Sequence, residues 1–590
     1  MSMSAFTRIH FQSLVVFAIL FVAFSFTGCS KGSKEDREFE GIASSFIEDY
    51  FKAHPVSATW VGEHKYDGMI DALSDSARAS ELASLKSYLV RLKALDKTKL
   101  SLDNRVDDEI LTNEVNREIF DLAELKNWQR NPLFYTRLLG NSIYMLIARE
   151  FAPADKRLDS AISRLKEFPR VVDEAMKNLS NPPRIHTETA IKQNRGTIAL
   201  CNGDLRRFAS QVPGKEKEFE EALKVGIDAL NRFQTYLEKE LYFQSNGDFR
   251  LGEELFRKKL SLTLQSNMQP EEIVDRAKDA VDRLHNEMFE LALPLYKEDH
   301  PGEVFDESSM EAKERGIKTV LDDISRDHPK PEDLLAACRE AYREAENFVR
   351  EKDLIDLPDE PLEIIWAPEY SRGVAVAGLR SPGPLDKGMK SFYVVSPVPE
   401  EWTPKQVESY LREYNNYMIR VLTIHEAMPG HYVQLAYANR CPSLVRAVFS
   451  SGSFVEGWAV YTERMMLEEG FHGGDPKLWL QRKKFYLRAV INSILDTGIH
   501  MQGMSEYQAM KLMVEDGFQE ESEASGKWRR ACLTSTQLST YFIGYNEVLD
   551  LRKEAKEKWG SSFQLKKFHE ELLAHGSPPA KYLEAFIFGD

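Results

Sequence analysis

The most informative stretch of this sequence is residues 423–431, which read Thr423-Ile424-His425-Glu426-Ala427-Met428-Pro429-Gly430-His431. When two histidines lie four residues apart on a helix, with a glutamate after the first, both imidazoles can bind one zinc ion and the glutamate can act as general base. Here the second histidine follows after six residues. On an unbroken helix this step is about 600°, which would leave the two rings about 120° apart.

Pro429 and Gly430 occupy the two additional positions of this stretch. Proline has no N–H to donate to the carbonyl oxygen of His425, and it therefore kinks or breaks a helix. Glycine adopts backbone conformations that other residues avoid. We predict that the break turns His431 back towards His425, so that both imidazoles bind one metal ion. Backbone distortions of this kind concentrate at functional sites.

A third metal ligand is expected, because catalytic zinc usually binds three protein groups and a water. We predict that Glu456 is this ligand and that its helix returns antiparallel to the first one after a turn at Cys441-Pro442. Glu463 lies two turns later on the same face of that helix. Two interpretations of Glu463 remain open, a carboxylate that orients a ligand histidine and a solvent-exposed helix charge.

Three short segments interrupt an otherwise helical pattern. Residues 362–367, 374–379 and 391–396 are rich in Ile, Val and aromatic residues, which favours strands. We predict a small antiparallel sheet beside the metal helix. Its edge strand either holds an extended substrate by backbone pairing or belongs to a structural hairpin.

The remainder of the mature chain predicts helix after helix, because apolar residues recur at helical spacing from residue 36 onwards. We expect a helical N-terminal lobe over residues 41–320 and a catalytic lobe over residues 321–590, with the break near residues 300–330. Within the catalytic lobe, the pattern predicts helices over residues 404–440, 443–470 and 476–500.

The motif HExxPGH, followed by EGWAxYxE, resembles a widespread bacterial family of unknown function that is grouped with the zincin metallopeptidases and includes many lipoproteins. Further segments that resemble this family lie at residues 54–67, 251–260 and 568–573, so the resemblance extends over nearly the whole mature chain. It implies a mainly α, two-lobed helical zincin-like metallopeptidase with a deep central channel, akin to helical carboxypeptidases and oligopeptidases.

The expected chemistry follows from these roles. One zinc ion per chain would lower the pKa of its bound water to about 7, and Glu426 would act as the general base. His500 and Tyr541 are candidate donors to the oxyanion of the transition state, since they match positions where the family carries His and Tyr, and Tyr545 is a third candidate. Residues 535–538 depart from the PGQA-like stretch usual before that tyrosine, which leaves the role of Tyr541 open.

These expectations favour a zinc-dependent hydrolase that cleaves peptide bonds of short exported peptides. Arg530 or Arg488 could hold a substrate carboxylate. One alternative is a zinc amidase or esterase that acts on envelope or imported substrates. Another is a non-catalytic lipoprotein that binds peptides, although a binding protein has no need of a base such as Glu426 beside the metal ligand His425.

The N-terminus has the features of a secretory signal. Arg8 precedes a largely apolar run from Leu14 to Phe26, which is followed by small residues and Cys29. This order is typical of a signal peptide, and the apolar run is shorter than the roughly 20 residues that span a membrane. We therefore expect an exported protein with a signal peptide over residues 1–28.

Gly28-Cys29 resembles the end of a bacterial lipobox, in which the cysteine is acylated and becomes the mature N-terminus. Phe26 departs from the leucine usual there, so a plain cleaved signal and an uncleaved anchor stay open. The resemblance implies a lipid anchor on Cys29, a linker over residues 29–40 and attachment to the cell envelope. Ser30, in place of aspartate, implies the outer membrane, facing the periplasm.

Composition excludes one class of partner. The formal net charge is −16, whereas binding to nucleic acid phosphates requires an excess of Lys and Arg. We therefore expect no nucleic acid partner. The four cysteines after Cys29 form no CxxC pair, and we expect them to be buried thiols.

Overall fold

The computed structural model describes residues 32–266, 268–303, 307–367 and 377–589. The predicted signal peptide and the lipidation site at Cys29 lie outside these residues. The described chain is mainly helical with one small sheet, which confirms the predicted fold class at this level. In the same ranges, no helix combines the length and the apolar character needed to cross a bilayer.

The helices before residue 250 build two apolar cores. They are α1 Lys34–Ala53, α2 Pro55–Val61, α3 Asp75–Lys93, α4 Leu102–Phe120, α5 Asn127–Arg130, α6 Pro132–Ala148, α7 Ala154–Asn178, α8 Arg184–Leu200, α9 Arg206–Ala209, α10 Glu216–Tyr236 and α11 Tyr242–Gln244. Residues of α1, α3 and α4 form one core, and residues of α6, α7, α8 and α10 form the other. Helix α1 begins inside the predicted linker, because Ser33 caps it and Phe39 is buried.

The helices after residue 250 share one continuous core with the sheet. They are α12 Glu253–Leu264, α13 Pro270–Asp299, α14 Met310–Ile324, α15 Leu334–Lys352, α16 Pro404–Glu413, α17 Asn416–Glu426, α18 His431–Ala438, α19 Leu444–Val448, α20 Gly452–Glu468, α21 Pro476–His500, α22 Glu506–Lys511, α23 Glu521–Leu533, α24 Thr540–Trp559, α25 Leu565–Leu573 and α26 Ala580–Phe588. The predicted division near residues 300–330 falls inside this core, because α13 packs along α21.

The sheet consists of β1 Leu362–Trp366, β2 Ala377–Arg380 and β3 Ser391–Val395 in the order β1-β3-β2. Strand β2 is antiparallel to β3, whereas β1 is parallel to β3. The sheet is therefore mixed, and the prediction of an antiparallel sheet was wrong. The chain reverses direction before β2 and again before β3, so β1 and β3 run in the same direction. They pair with each other because β3 is the central strand of the sheet. Residue alternation predicts strands but does not specify their order.

The predicted helix over residues 404–440 is divided into α16, α17 and α18. The first division lies at Asn415, whose side chain accepts hydrogen bonds from Tyr417 N and Met418 N and so caps α17. The second lies at residues 427–430. The predicted helix over residues 443–470 is divided into α19 and α20, whereas the prediction for residues 476–500 is confirmed by α21.

Helix α20 is held close to α24 by a contact between two glycines. A Cβ on Gly457 would lie 2.3 Å from the carbonyl carbon of Gly544, and a Cβ on Gly544 would lie 1.8 Å from Ser453 O. Because neither residue carries a side chain, the two backbones approach directly. Together with α17 and α21, this pair forms the frame around the candidate site.

The cysteines of the described chain lie apart from that site. All of them are buried and unpaired, as expected, and burial raises the pKa of the Cys201, Cys338 and Cys532 thiols to about 12. Such thiols remain protonated and unreactive at neutral pH. The set comprises Cys201, Cys338, Cys441 and Cys532.

Candidate metal centre

The first part of the site is the break between α17 and α18. Ala427 and Gly430 leave the helical region, with ψ angles of −78° and −129°. Gly430 N donates to Ile424 O at 3.0 Å, which closes the turn. A Cβ on Gly430 would lie 1.9 Å from His425 O, so the turn has room only for glycine at this position.

This break brings the two histidines of the motif together. The rings of His425 and His431 have centroids 4.8 Å apart and are nearly perpendicular. The Nε2 atoms of His425 and His431 lie 3.6 Å and 3.5 Å from Glu456 Oε2. Bonds of about 2.0–2.1 Å to a tetrahedral zinc ion separate neighbouring ligand atoms by roughly 3.3 Å. The three groups therefore fit a single cation of this size.

Glu463 orients the first of these histidines. His425 Nδ1 lies 2.8 Å from Glu463 Oε1, and Glu463 is fully buried, so its interpretation as a solvent-exposed charge does not apply. A proton on Nδ1 leaves the Nε2 lone pair free for a metal. Arg482 Nε lies 3.7 Å from the other carboxylate oxygen, Glu463 Oε2, and so balances part of its charge.

The electrostatics of His425, His431 and Glu456 favour the binding of a cation between them. Burial lowers the pKa of His425, but the contacts with Glu456 and Glu463 outweigh burial and raise this pKa to about 10. Burial likewise raises the pKa of Glu456, and the imidazoles of His425 and His431 lower it well below its usual range. The site therefore holds an ionised carboxylate whose charge either protons or a metal ion can balance.

Glu426 lies between the metal group and the sheet. Its Oε2 accepts a hydrogen bond from Leu379 N, in β2, at 3.0 Å. Ser391 N donates to Pro361 O, and Ala367 N donates to Val395 O. The backbone N–H and C=O groups of Ser391, Tyr393 and Val395 therefore face β1. Leu379 and Ala377 are paired with Tyr393 and Val395, so their backbone groups point away from β3. We call this side, which pairs with no strand of the described residues, the free edge of β2.

Tyr541, on α24, and Arg530, on α23, lie within range of the negative charge of Glu456, which raises the pKa of both. Arg530 Nη2 donates to Tyr541 OH at 3.1 Å and to Gln537 Oε1 at 2.8 Å. Gln537 Nε2 also donates to Tyr541 OH at 3.1 Å. Burial first, and then the negative charge of Glu456, raise the pKa of Tyr541 to about 12. The phenol is therefore protonated at neutral pH, and its own proton remains available for a ligand.

The structure does not bring His500 to the site. His500 Nε2 is 2.9 Å from Ala531 O and 2.7 Å from Thr534 O, and the ring stacks on Phe256. It lies 15 residues along α21 from Phe485, which contacts His425, a separation of roughly 22 Å along the helix axis. The role predicted for His500 as an oxyanion donor is therefore wrong, because α21 is straight and long.

Two further candidates have other partners. Tyr545 OH accepts a hydrogen bond from Arg464 at 3.2 Å. Arg488 contacts the carboxylates of Glu413 and Glu523, so its charge is already balanced inside the protein. Two arginines were considered as partners of a substrate carboxylate. Arg488 lies in this ion-pair cluster, whereas Arg530 contacts Tyr541.

A second histidine-carboxylate group occurs in the N-terminal half, formed by His54, Glu81 and Glu118. Each of its three members has a direct partner of opposite charge. His54 Nε2 lies 2.8 Å from Glu81, His54 Nδ1 lies 3.6 Å from Asp71, and Arg117 contacts Glu118 at 2.8 Å. With both nitrogens facing carboxylates, the ring acts as a protonated partner in an ion-pair network.

The sequence interpretation missed two groups of the site. Leu379 contributes through its backbone N–H, and no side-chain motif signals such a role. Gln537 links Arg530 to Tyr541 and lies in the segment that departs from the family pattern. It lies two residues before Ser539, the N-cap of α24, so no helical spacing signals its contact with Tyr541.

The fold and the site thus define a mainly helical protein with a His-His-Glu group that fits one divalent cation. The chain belongs to the DUF885 family, described as a bacterial protein of unknown function, whose pattern matches residues 55–587. No curated protein matches the chain.

Two solved structures are similar to the chain. One, from Shewanella oneidensis, is described as a candidate lipoprotein of unknown function. It is 34% identical with a TM-score of 0.79, and the match covers 93% of this chain and 99% of that one. The other, a candidate lipoprotein from Colwellia psychrerythraea, is 18% identical with a TM-score of 0.76, covering 93% and 98%. The second likeness concerns the fold alone.

The first prediction concerns the break itself. In Gly430→Ala the new Cβ meets His425 O, so the turn must open and separate the two imidazoles. We expect zinc affinity to fall about 10–100-fold, as when groups that orient ligands are lost, measured by competition with a fluorescent zinc chelator. Gly526→Ala is the matched control, because a Cβ on this helical glycine meets nothing within 4 Å. Unchanged affinity in Gly430→Ala would contradict the account of the break.

Proposed function

We propose that the chain is a zinc-dependent hydrolase that cleaves peptide bonds of short exported peptides, with one zinc ion per chain. The observation that supports this most strongly is the convergence of His425, His431 and Glu456 on one point, with Glu426 as the next residue after the first ligand. Two imidazoles and one carboxylate are the ligands of many catalytic zinc sites, which leave a fourth position for water. The motif pair also supports a relationship to the zincin-like metallopeptidases and their two-lobed architecture.

In this proposal the residues of the chain divide the proton transfers among them. When bound, zinc supplies a Lewis acid and lowers the pKa of a water to about 7. Glu426 accepts the proton of the attacking water and passes it to the leaving amine. The hydrogen bond from Leu379 N at 3.0 Å holds this carboxylate in position. Glu463 keeps the His425 ring in one orientation.

Tyr541 is the proposed donor to the developing oxyanion. Its hydroxyl is protonated at neutral pH, because burial and the charge of Glu456 raise its pKa to about 12. Arg530 and Gln537 both donate to its oxygen, which fixes the hydroxyl and directs its own proton elsewhere. A donor that is positioned before the reaction stabilises charge that forms only in the transition state.

The free edge of β2 is the proposed binding surface for the substrate backbone. Ala377 and Leu379 face this edge. Because Leu379 N is already bonded to Glu426, the backbone groups of Ala377 and the carbonyl oxygen of Leu379 are the ones left for a peptide. An extended peptide that pairs with the edge strand would therefore pass directly beside the general base. A cavity of about 410 Å³ adjoins β2 at Leu379 and Arg380 and reaches α18 at Leu435. It lies along the sheet face that carries Phe392 and Val394, and its lining does not include the metal group.

The proposed location is the cell envelope. The Shewanella oneidensis structure, at 34% identity, is described as a candidate lipoprotein, and this chain carries the lipobox-like Gly28-Cys29. We propose that Cys29 carries the lipid anchor and that the protein faces the periplasm from the outer membrane.

Glu426→Gln tests the general base. Because Glu426 is not among the three proposed ligands, the variant should keep about one zinc per chain, while peptide hydrolysis falls about 10²–10⁴-fold with loss of the proton acceptor. Elemental analysis and a peptide-library digest read by mass spectrometry measure the two effects, with the exposed Glu401→Gln as control. Full hydrolysis by Glu426→Gln would refute the mechanism. Esters and non-peptide amides tested in parallel distinguish a peptidase from an esterase or amidase.

Tyr541→Phe tests the oxyanion donor. Removing one such donor typically lowers kcat about 10²–10³-fold, and we expect this loss with little change in KM or zinc content. Tyr545→Phe is the matched control, since that hydroxyl contacts Arg464 on the same helix as Glu456 but has no contact with Arg530 or Gln537. Equal kcat values for the two variants would remove Tyr541 from the mechanism.

A further inference from the structure

A second cavity, of about 320 Å³, lies between α4, α12, the start of α20 and residues 535–537. We call it the lysine pocket, after Lys259. Gln537 lines the pocket and donates to Tyr541 OH, so the pocket borders the proposed catalytic group. Ser450 lines both this pocket and the cavity beside β2. The two cavities therefore meet at the N-terminal end of the helix that carries Glu456.

Lys259 supplies a positive charge to this pocket that no carboxylate of the described residues binds directly. Its Nζ donates to Ser535 Oγ at 2.7 Å and to Ser535 O at 3.2 Å. Burial lowers the pKa of Lys259, and the charges of Asp121 and Asp496 oppose this effect from a longer distance. An ammonium group held only by neutral oxygens still has a strong preference for an anionic partner.

Of the other charged groups that line the pocket, Arg117 and Glu114 form an ion pair, whereas the hydrogen-bond partner of Asp121 is a neutral amide. Arg117 donates to both oxygens of Glu114 and also contacts Glu118. Asp121 accepts a hydrogen bond from Asn127 at 2.9 Å, and burial raises its pKa. Among the described residues that line the pocket, Lys259 is therefore the cation that makes no direct ion pair.

The start of α20 adds a second favourable feature for an anion. Gly452 lines the pocket, and the first donor within this helix is Val455 N, which bonds Ser451 O. The N–H groups before it lie at the positive end of a 17-residue helix. Glu456 follows Gly452 by one turn, so the pocket begins about 6 Å along the helix axis from the carboxylate ligand.

We infer that the lysine pocket binds the free C-terminal carboxylate of a peptide, and that the proposed peptidase removes residues from that end. The inference rests on the proposed function for the nature of the substrate. An extended peptide advances about 3.3 Å per residue, so one or two residues span the roughly 6 Å along α20 between Glu456 and the edge of the pocket at Gly452.

The test measures binding separately from turnover. Zinc-loaded Glu426→Gln protein is titrated against a fluorescein-labelled tetra-alanine peptide with a free carboxylate, and against the same peptide with a C-terminal amide. We expect the carboxylate form to bind about tenfold or more tightly, which is typical of a charge-assisted hydrogen bond. Lys259→Met in the same background should abolish most of this preference, and Lys259→Arg should retain part of it.

Lys258→Met is the matched control, because Lys258 is the neighbouring lysine and contacts Glu124 at the surface. Equal affinity for the two peptides, absence of binding to both, or an unchanged preference in Lys259→Met would overturn the inference. Hydrolysis of free and amidated peptides at equal rates by the unmodified chain would overturn the inference and leave the proposed peptidase standing. Carboxylate-selective binding that depends on Lys259, without any hydrolysis, would overturn the proposed peptidase and leave the carboxylate site standing.

Discussion

Between α17 and α18, the carbonyl oxygens of Ile424 and His425 approach Gly430 so closely that a side chain there has no space. All other features of the candidate site depend on this contact, because it ends one helix and starts the next with the second imidazole facing the first. Trp458 stabilises the break, because its indole N–H donates a hydrogen bond to Pro429 O at 3.0 Å. Trp458 lies on α20, two residues after Glu456. The helix that supplies the carboxylate ligand therefore also stabilises the turn that positions the histidines.

The same arrangement concentrates charge in the interior of the protein. Glu456 and Glu463 flank His425, and burying ionised groups costs free energy unless each is paired. Arg482 balances part of the charge on Glu463, while the direct partners of Glu456 among the described residues are the two imidazoles. A divalent cation at their meeting point would offset this cost more fully than protons can. In this view the metal contributes to the stability of α17, α18 and α20 as well as to the chemistry.

Much of this site could be predicted from the sequence, because the informative residues are close together along the chain. The six-residue step between the histidines is incompatible with a continuous helix, and Pro429 and Gly430 give a physical reason for the break. His500 was assigned wrongly, because a matching residue type says nothing about the length of a straight helix. The strand order, the N–H of Leu379 and the pocket of Lys259 depend on contacts between distant segments, which residue patterns do not specify.

The most direct test of the metal centre is a crystal structure of the zinc-loaded protein with anomalous differences recorded on both sides of the zinc absorption edge. The account predicts one zinc peak about 2.0–2.2 Å from the Nε2 atoms of His425 and His431 and from a carboxylate oxygen of Glu456. A structure without a peak there, or with zinc bound instead by His54, Glu81 and Glu118, would contradict it.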